Sequence, residues 1–123
     1  MADSILDTVK PALGLDLADS SFDLDVVMLI NGTFGKLYQL DVGPTDGFAI
    51  TNNNAQWPDY VTDPDLRGLV EAYMVMSVKM AFDPPGTSFG IDATNKQIEK
   101  LAVHIVTRAE TLDPPSDPFE EAS

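Results

Sequence analysis

The sequence contains no cysteine and only one histidine, His104. The lack of cysteine excludes disulfides, thiolate zinc sites and cysteine nucleophiles. One histidine cannot build a histidine-rich metal site within one chain, and a Ser-His-Asp triad would have to use His104 itself. Basic residues are scarce too, since 7 Lys and Arg face 20 Asp and Glu, a net charge of −13. No apolar run approaches the roughly 20 residues of a membrane helix.

The acidity restricts the partners that the chain can bind. A monomer of this charge repels nucleic acid phosphates and anionic membranes, and the sequence has no basic patch with interleaved aromatics that would read bases. The acids can serve solubility alone, or they can form a surface beside DNA that the protein must not bind. Residues 1–4 carry an acid where a secretion signal would be basic. We therefore expect synthesis in a cytosol and no membrane partner.

Apolar residues at three- and four-residue steps predict a mainly α fold, a small four-helix bundle with a long central loop. The predicted helices span residues 4–13, 20–40 and 63–82, and a fourth begins between residues 88 and 92 and runs to about 112. Ser4 is the predicted cap of the first helix, and Ser20 or Ser21 that of the second. The third has the clearest start, because Asp63 is a good N-cap and Pro64 suits the first helical position. Its second half, residues 72–82, is nearly all apolar, with Lys79 as its one charge. We expect this helix to be buried on more than one side, in part by other subunits.

The loop over residues 41–62 is long for a compact domain, which favours a functional role. Residues 48–51 alternate like a strand and residues 56–57 can return, so a short β-hairpin is one option. The loop's aromatics either pin it to the chain's own core or anchor a neighbouring subunit. Two glycines in the second helix are either tolerated or allow close approach of another backbone. The candidate subunit-interface residues are Phe48, Ile50, Trp57, Tyr60, Gly32 and Gly35.

The last residues of the chain differ in composition from the rest. Residues 113–123 contain three prolines, four acids and one phenylalanine, which cannot form a packed core. We therefore divide the chain into a helical domain, residues 1–111, and an acidic proline-rich tail, residues 112–123, that we expect to lie on a partner.

Patterns that carry chemistry are missing from the sequence. Residues 32–35 (GTFG) do not have the context of a phosphate-binding loop. The four aspartates between residues 16 and 25 do not have the spacing of a calcium-binding EF-hand. Paired carboxylates occur by chance in a chain with 20 acids and carry no information. We expect no catalytic residues, no metal and no cofactor.

Several short blocks in a fixed order carry a resemblance to a known family. They are residues 4–14 (SILDTVKPALG), 20–31 (SSFDLDVVMLIN), 40–44 (LDVGP), 47–51 (GFAIT) with Trp57, and 82–89 (FDPPGTSF). Together they cover roughly residues 3–110 and resemble the head–tail connector proteins, also called adaptor or head-completion proteins, of long-tailed phages. Pro11, Gly32 and Gly35 are less typical of regular helices, so the geometry of the first two helices is open.

The resemblance implies a structural virion protein of the head–tail neck, assembled in the host cytoplasm. Such subunits form a ring, usually twelve-fold, between the portal and the next neck or tail protein, a stopper or tail terminator. The ring extends the channel through which DNA passes without sequence-specific binding. Because the C-terminal region of such connectors commonly contacts the portal, the candidate portal-docking residues are Asp113, Pro114, Pro115, Asp117, Phe119 and Glu120.

Two other interpretations remain open at this stage. An acidic inhibitor could mimic DNA and bind a basic host protein, although such mimics space their acids over an exposed face, whereas here the acids concentrate in turns, helix starts and the tail. A different small helical virion or accessory protein is the other interpretation.

Overall fold

The structure, a computed structural model, describes residues 4–112 of the chain. This part contains five helices. They are α1 (Ile5–Ala12), α2 (Asp23–Gln39), α3 (Trp57–Tyr60), α4 (Pro64–Phe82) and α5 (Ser88–Leu112). No strand occurs within these residues; the β contact found there is a single bridge between Ser4 and Gln56. The prediction of a mainly helical bundle is confirmed, with the short α3 as an addition.

The helix starts follow from local capping, with one exception. Ser4 Oγ accepts the N–H of Asp7 at the start of α1, and Asp63 Oδ2 accepts the N–H of Leu66 at the start of α4, as the sequence predicts. The predicted serine cap of α2 is wrong, because α2 begins at Asp23 and Phe22 stands at its N-cap without a side-chain bond.

Helix α4 lies at the centre of the bundle. It packs against α1, α2 and α5, while α1 also packs against α2. The apolar side chains of these helices and of the loop form one core, to which α5 contributes Ile105 as its fully buried residue. The α5 side chains are otherwise exposed or half-buried, so α5 is the most peripheral of the long helices.

The predicted β-hairpin over residues 48–57 does not form, and its hydrogen bonds go elsewhere. Asn31 of α2 satisfies both backbone groups of Ile50: its Nδ2 donates to the Ile50 carbonyl over 2.9 Å, and its Oδ1 accepts the Ile50 N–H over 2.8 Å. Beyond Ile50, the loop meets the start of α1, where Ile5 N–H donates to the Ala55 carbonyl over 3.1 Å. Helix α3 occupies the place of the predicted return strand.

Candidate assembly surfaces

The aromatic residues of the loop surround Phe34 of α2. The ring of Tyr60 lies 4.6 Å from that of Phe34, the ring of Phe48 lies 5.1 Å away and the ring of Trp57 lies 6.4 Å away. Trp57 is 1% exposed, Tyr60 and Ile50 are buried, and Phe48 is half-buried. Four of the six residues predicted for a subunit interface therefore lie in or against the chain's own core.

Polar contacts fix this aromatic cluster from several directions. Trp57 Nε1 donates to Thr8 Oγ1 of α1 over 3.1 Å, and the Tyr60 hydroxyl donates to the Val42 carbonyl over 3.3 Å. Burial raises the pKa of the Tyr60 hydroxyl well above its ordinary value. Gly43, at φ +90°, passes so close to Tyr60 that a Cβ there would stand 2.6 Å from the ring. The loop is thereby tied to both α1 and α2.

The other two predicted interface residues, Gly32 and Gly35, lie on the exposed side of α2. A Cβ built at either glycine meets no heavy atom within 4 Å among residues 4–112, the helix's own nearby backbone aside. Leu24 and Met28 share this side of the helix, because residues at steps of three, four and eight fall on one face. Leu24 is 73% exposed and Met28 is 65% exposed. We call Leu24, Met28, Gly32 and Gly35 the α2 face.

A second exposed surface, on α5, was missed by the sequence reasoning. Phe89 is 79% exposed and Val103 is 63% exposed, and Lys96 and Lys100 lie exposed between them. All four fall on the side of the helix opposite to its buried side chain, Ile105. We call Phe89, Lys96, Lys100 and Val103 the α5 face. The signal in the sequence was that Phe89 and Val103 are apolar yet lie off the helix's apolar stripe.

A buried ammonium group at the junction of α1 and α2 was also missed. Lys10 is only 2% exposed, and its Nζ lies 2.7 Å from Asp23 Oδ1. The same Nζ donates to the carbonyls of Leu17, over 3.2 Å, and Asp19, over 2.7 Å. The approach to Asp23 is an ionic contact without hydrogen-bond alignment. Lys10 thus stabilises the turn between the two helices by binding its inner side. In the sequence, this structural role is suggested only by the aspartates that follow Lys10.

Arg108 near the end of α5 anchors that helix to the start of α4. Its Nε and Nη2 donate to the two carboxylate oxygens of Asp63 over 3.0 and 2.9 Å, and Nη2 lies 3.6 Å from Asp65. The bonds from Arg108, and then from the Leu66 N–H, hold the pKa of the Asp63 carboxyl below its ordinary value. The N-cap of α4 and the attachment of α5 therefore depend on the same carboxylate.

The described residues offer little that is typical of a reaction centre. Within residues 4–112 no group of three His, Cys, Asp or Glu side chains could hold a metal ion. His104 is exposed on α5. The clefts found there include one of about 650 Å³ beside α3 and one of about 660 Å³ between α4 and the start of α5. No helix in this part of the chain is long and apolar enough to span a membrane.

The six residues predicted to dock on the portal, Asp113, Pro114, Pro115, Asp117, Phe119 and Glu120, lie outside the described residues. The boundary between the helical domain and the tail, predicted at residues 111 and 112, stays a prediction; α5 ends at Leu112.

The fold and its exposed surfaces define a small helical protein with apolar side chains outside its core. A family model described as phage connector protein matches residues 5–111. Since the match covers most of the 123 residues, the chain belongs to the phage connector protein family. Comparison with curated proteins and with solved structures finds no match.

Family membership confirms the resemblance to phage head–tail connectors that the sequence blocks indicate. The family consists of structural proteins rather than known enzymes, and it assigns the chain a connector role in the virion, in contact with other phage head or tail proteins.

Proposed function

We propose that the chain is one subunit of a ring, dodecameric by analogy with its family, that sits between the portal and the next neck or tail protein. The ring joins head to tail and extends the DNA channel, a structural rather than catalytic role. The observation that carries this proposal is the family match over residues 5–111. The exposed Leu24, Met28, Phe89 and Val103 support it, because a ring subunit needs apolar surface to bury against its neighbours.

The charge of the chain fits a channel through which DNA slides. A ring of subunits at −13 each is strongly negative, and acids that line a lumen repel DNA phosphates instead of gripping them. Screening limits the effect to charges within about 8 Å of the DNA at physiological salt. DNA is therefore a transient passenger without sequence-specific contacts. Assembly in the host cytoplasm fits the same role.

The mass of the assembled protein tests the ring directly. We expect native mass spectrometry or mass photometry of the full chain, mixed with the portal protein, to show a closed complex with several copies per portal. A chain that stays monomeric in the presence of portal and instead inhibits a DNA-binding enzyme would overturn the connector proposal in favour of an acidic DNA mimic.

We propose Gly32 and Gly35 as positions of close contact between subunits. A Cβ at Gly35 meets no heavy atom within 4 Å among residues 4–112, the nearby helix backbone aside. Leucine there also removes a helix-interior glycine that costs about 1 kcal/mol relative to alanine. The Gly35→Leu variant should thus keep or raise its melting temperature while it loses assembly, because the added side chain holds the neighbour away. Gly68→Leu, an equally open glycine on α4, is the matched control and should assemble normally. Normal assembly of Gly35→Leu would refute the contact.

Phe48, Ile50, Trp57 and Tyr60 support subunit contact indirectly under this proposal. Their packing in or against the core fixes the loop and the inner side of α2. Their substitution should reduce assembly in proportion to the loss of fold stability. Substitution of an interface anchor would instead reduce assembly before it reduced fold stability.

We propose that the tail, residues 112–123, docks on the portal, with Phe119 as its apolar anchor and its acids around it. Deletion of residues 113–123 should leave the helical circular dichroism signal of residues 4–112 intact and weaken portal binding, because the core lies within those residues. Phe119→Ala should reproduce most of the loss, and Ser116→Ala is the matched control. Unchanged portal binding by the deletion variant would exclude this role of the tail.

A further inference from the structure

The α2 face and the α5 face are two exposed surfaces on different helices of the subunit. Both helices pack on α4, and the two faces are the sides that point away from it. The two faces of one copy therefore cannot meet each other, while a face of one copy can meet the other face of the next copy. Such unlike surfaces form heterologous contacts, the type that closes into rings when the rotation between copies is suitable.

The α5 face exposes two lysines on a molecule that is acidic overall. The chain has 7 Lys and Arg, of which Lys10 and Arg108 are used in ion pairs within the subunit. Lys96 and Lys100, one turn apart, have no ion-pair partner among residues 4–112. Asp92 and Glu99 flank the face along one edge only. The lysine stems also provide apolar surface between Phe89 and Val103.

The start of the α2 face is surrounded by acids. Asp25 is exposed next to Leu24, and Asp16 and Asp19 are exposed in the turn that leads into the helix. Lys10 is buried beneath this turn, where it contacts Asp23, and neither Asp16 nor Asp25 has an ion-pair partner among residues 4–112. An apolar stripe with acids at its end is the complement of an apolar stripe that carries two lysines.

We propose that the α5 face of one copy docks on the α2 face of the next copy, with Lys96 and Lys100 directed towards the acids around Leu24. The occupant of each face is thus a second copy of this chain. This inference rests on the proposed ring and assigns its subunit contact. The glycines of the α2 face provide room for the partner helix to approach, and Leu24 and Met28 bury against the apolar part of the α5 face.

Cross-linking tests the contact cleanly because the chain has no cysteine of its own. The double variant Met28→Cys/Val103→Cys, assembled with portal and treated with a short bismaleimide, should give a ladder of dimers, trimers and larger products. Met28→Cys alone should give almost no product, since two α2 faces do not meet. Met28→Cys/Gly68→Cys is the matched control, with Gly68 exposed on α4 outside both faces, and should not give a ladder.

A second experiment uses charge. The variant Lys96→Glu/Lys100→Glu and the variant Asp16→Lys/Asp25→Lys should each self-associate at least about tenfold more weakly than wild type, equivalent to about 1.4 kcal/mol. Mixed in equal amounts, the two variants should assemble together. In an alternating ring, the glutamates introduced in one variant face the lysines introduced in the other, and the remaining contacts keep the wild-type pairing of lysines with acids. All four positions are exposed, so circular dichroism should show unchanged folding.

The outcomes separate this inference from the ring itself. A wild-type ring without the ladder, or without recovery in the mixture, overturns the assignment of the two faces and leaves the ring standing. A wild-type chain that remains monomeric with portal overturns both. A ladder from Met28→Cys alone would also overturn the assignment, because it would show that like faces meet.

Discussion

Replacement of Trp57 by alanine should destabilise the single subunit, and assembly should fail only as a consequence. Trp57 is 1% exposed, packs against Phe34 and donates a hydrogen bond to Thr8 Oγ1. Truncation of a buried tryptophan to alanine costs about 3–5 kcal/mol. The hydroxyl of Thr8 keeps its own bond to the Ser4 carbonyl, so the lost indole bond adds little to the cavity cost.

That cost is a large share of the 5–15 kcal/mol by which domains of this size are stable. Since 1 kcal/mol corresponds to about 4–8 °C for domains of 60–100 residues and about 2–4 °C for domains of 150–250 residues, we expect a melting temperature lower by about 10 °C or more. Trp57 is the chain's one tryptophan, so unfolding must be followed by far-ultraviolet circular dichroism instead of indole fluorescence. Assembly with portal should be measured below the melting temperature of the variant.

The matched variant Trp57→Phe fills most of the cavity and loses the indole N–H, and it should cost much less than alanine. The reasoning would be refuted if Trp57→Ala kept its melting temperature but lost assembly. That result would restore Trp57 as an anchor on a neighbouring subunit and would require the loop to leave the core in the ring.

Three further substitutions probe other features of the subunit. Lys10→Met should cost about 1–3 kcal/mol in urea unfolding, because it leaves two partly buried carbonyls and a partly exposed carboxylate without their cation. Gly43→Ala should cost about 2–4 kcal/mol in the same assay, because φ +90° is strained for alanine and its Cβ would displace Tyr60. Asp63→Asn keeps an N-cap but loses the charge that Arg108 binds. The pKa of Asp63 is lower in the folded state than its ordinary value of 3.8. The ionised carboxylate therefore contributes its full stabilisation above pH 3.8, and this stabilisation is lost as the pH falls through the folded pKa. Wild type and variant should differ in stability at pH 7 and become equally stable in acid.

Matched controls make these three results interpretable. Lys36→Met removes an exposed lysine of α2 and should leave stability nearly unchanged. Gly32→Ala introduces the same methyl group at a glycine with open surroundings and should be neutral or stabilising. Asp92→Asn removes an exposed acid of α5 and should not change the acid dependence. Equal effects in a variant and its control would contradict the contact assigned to that residue.

The helices could be predicted from the sequence because their determinants are local. Apolar side chains at three- and four-residue steps define the inner sides of α2 and α4, and Asp63 with Pro64 fixes the start of α4. The start of α2 was less accurate because Phe22, which has no capping side chain, occupies the N-cap and packs edge-on against Phe82. A tertiary contact there overrides the serine cap that local sequence favours.

The loop could not be predicted because its partners are distant in sequence. The side chain of Asn31 occupies the hydrogen-bonding groups of Ile50, 19 residues away, and Ser4 Oγ donates to the Asn53 carbonyl, 49 residues away. Neither pairing leaves a periodic signal. The burial of Trp57 was one of two alternatives that composition allowed, and only the packing around Phe34 separates them.

The buried loop has a consequence for the exposed side of α2. Asn31 points into the loop from the helix that carries Met28 and Gly32, and the bonds to Ile50 hold that helix against a cluster already closed by Trp57. The α2 face is therefore fixed before any neighbour arrives, and association would not have to order it. Under the proposed ring, mutations in the loop and mutations on the α2 face should weaken assembly by different routes. Loop variants should lose it together with stability, and face variants should lose it at constant stability. A loop variant that broke this correspondence would show that the loop itself reaches the neighbouring subunit.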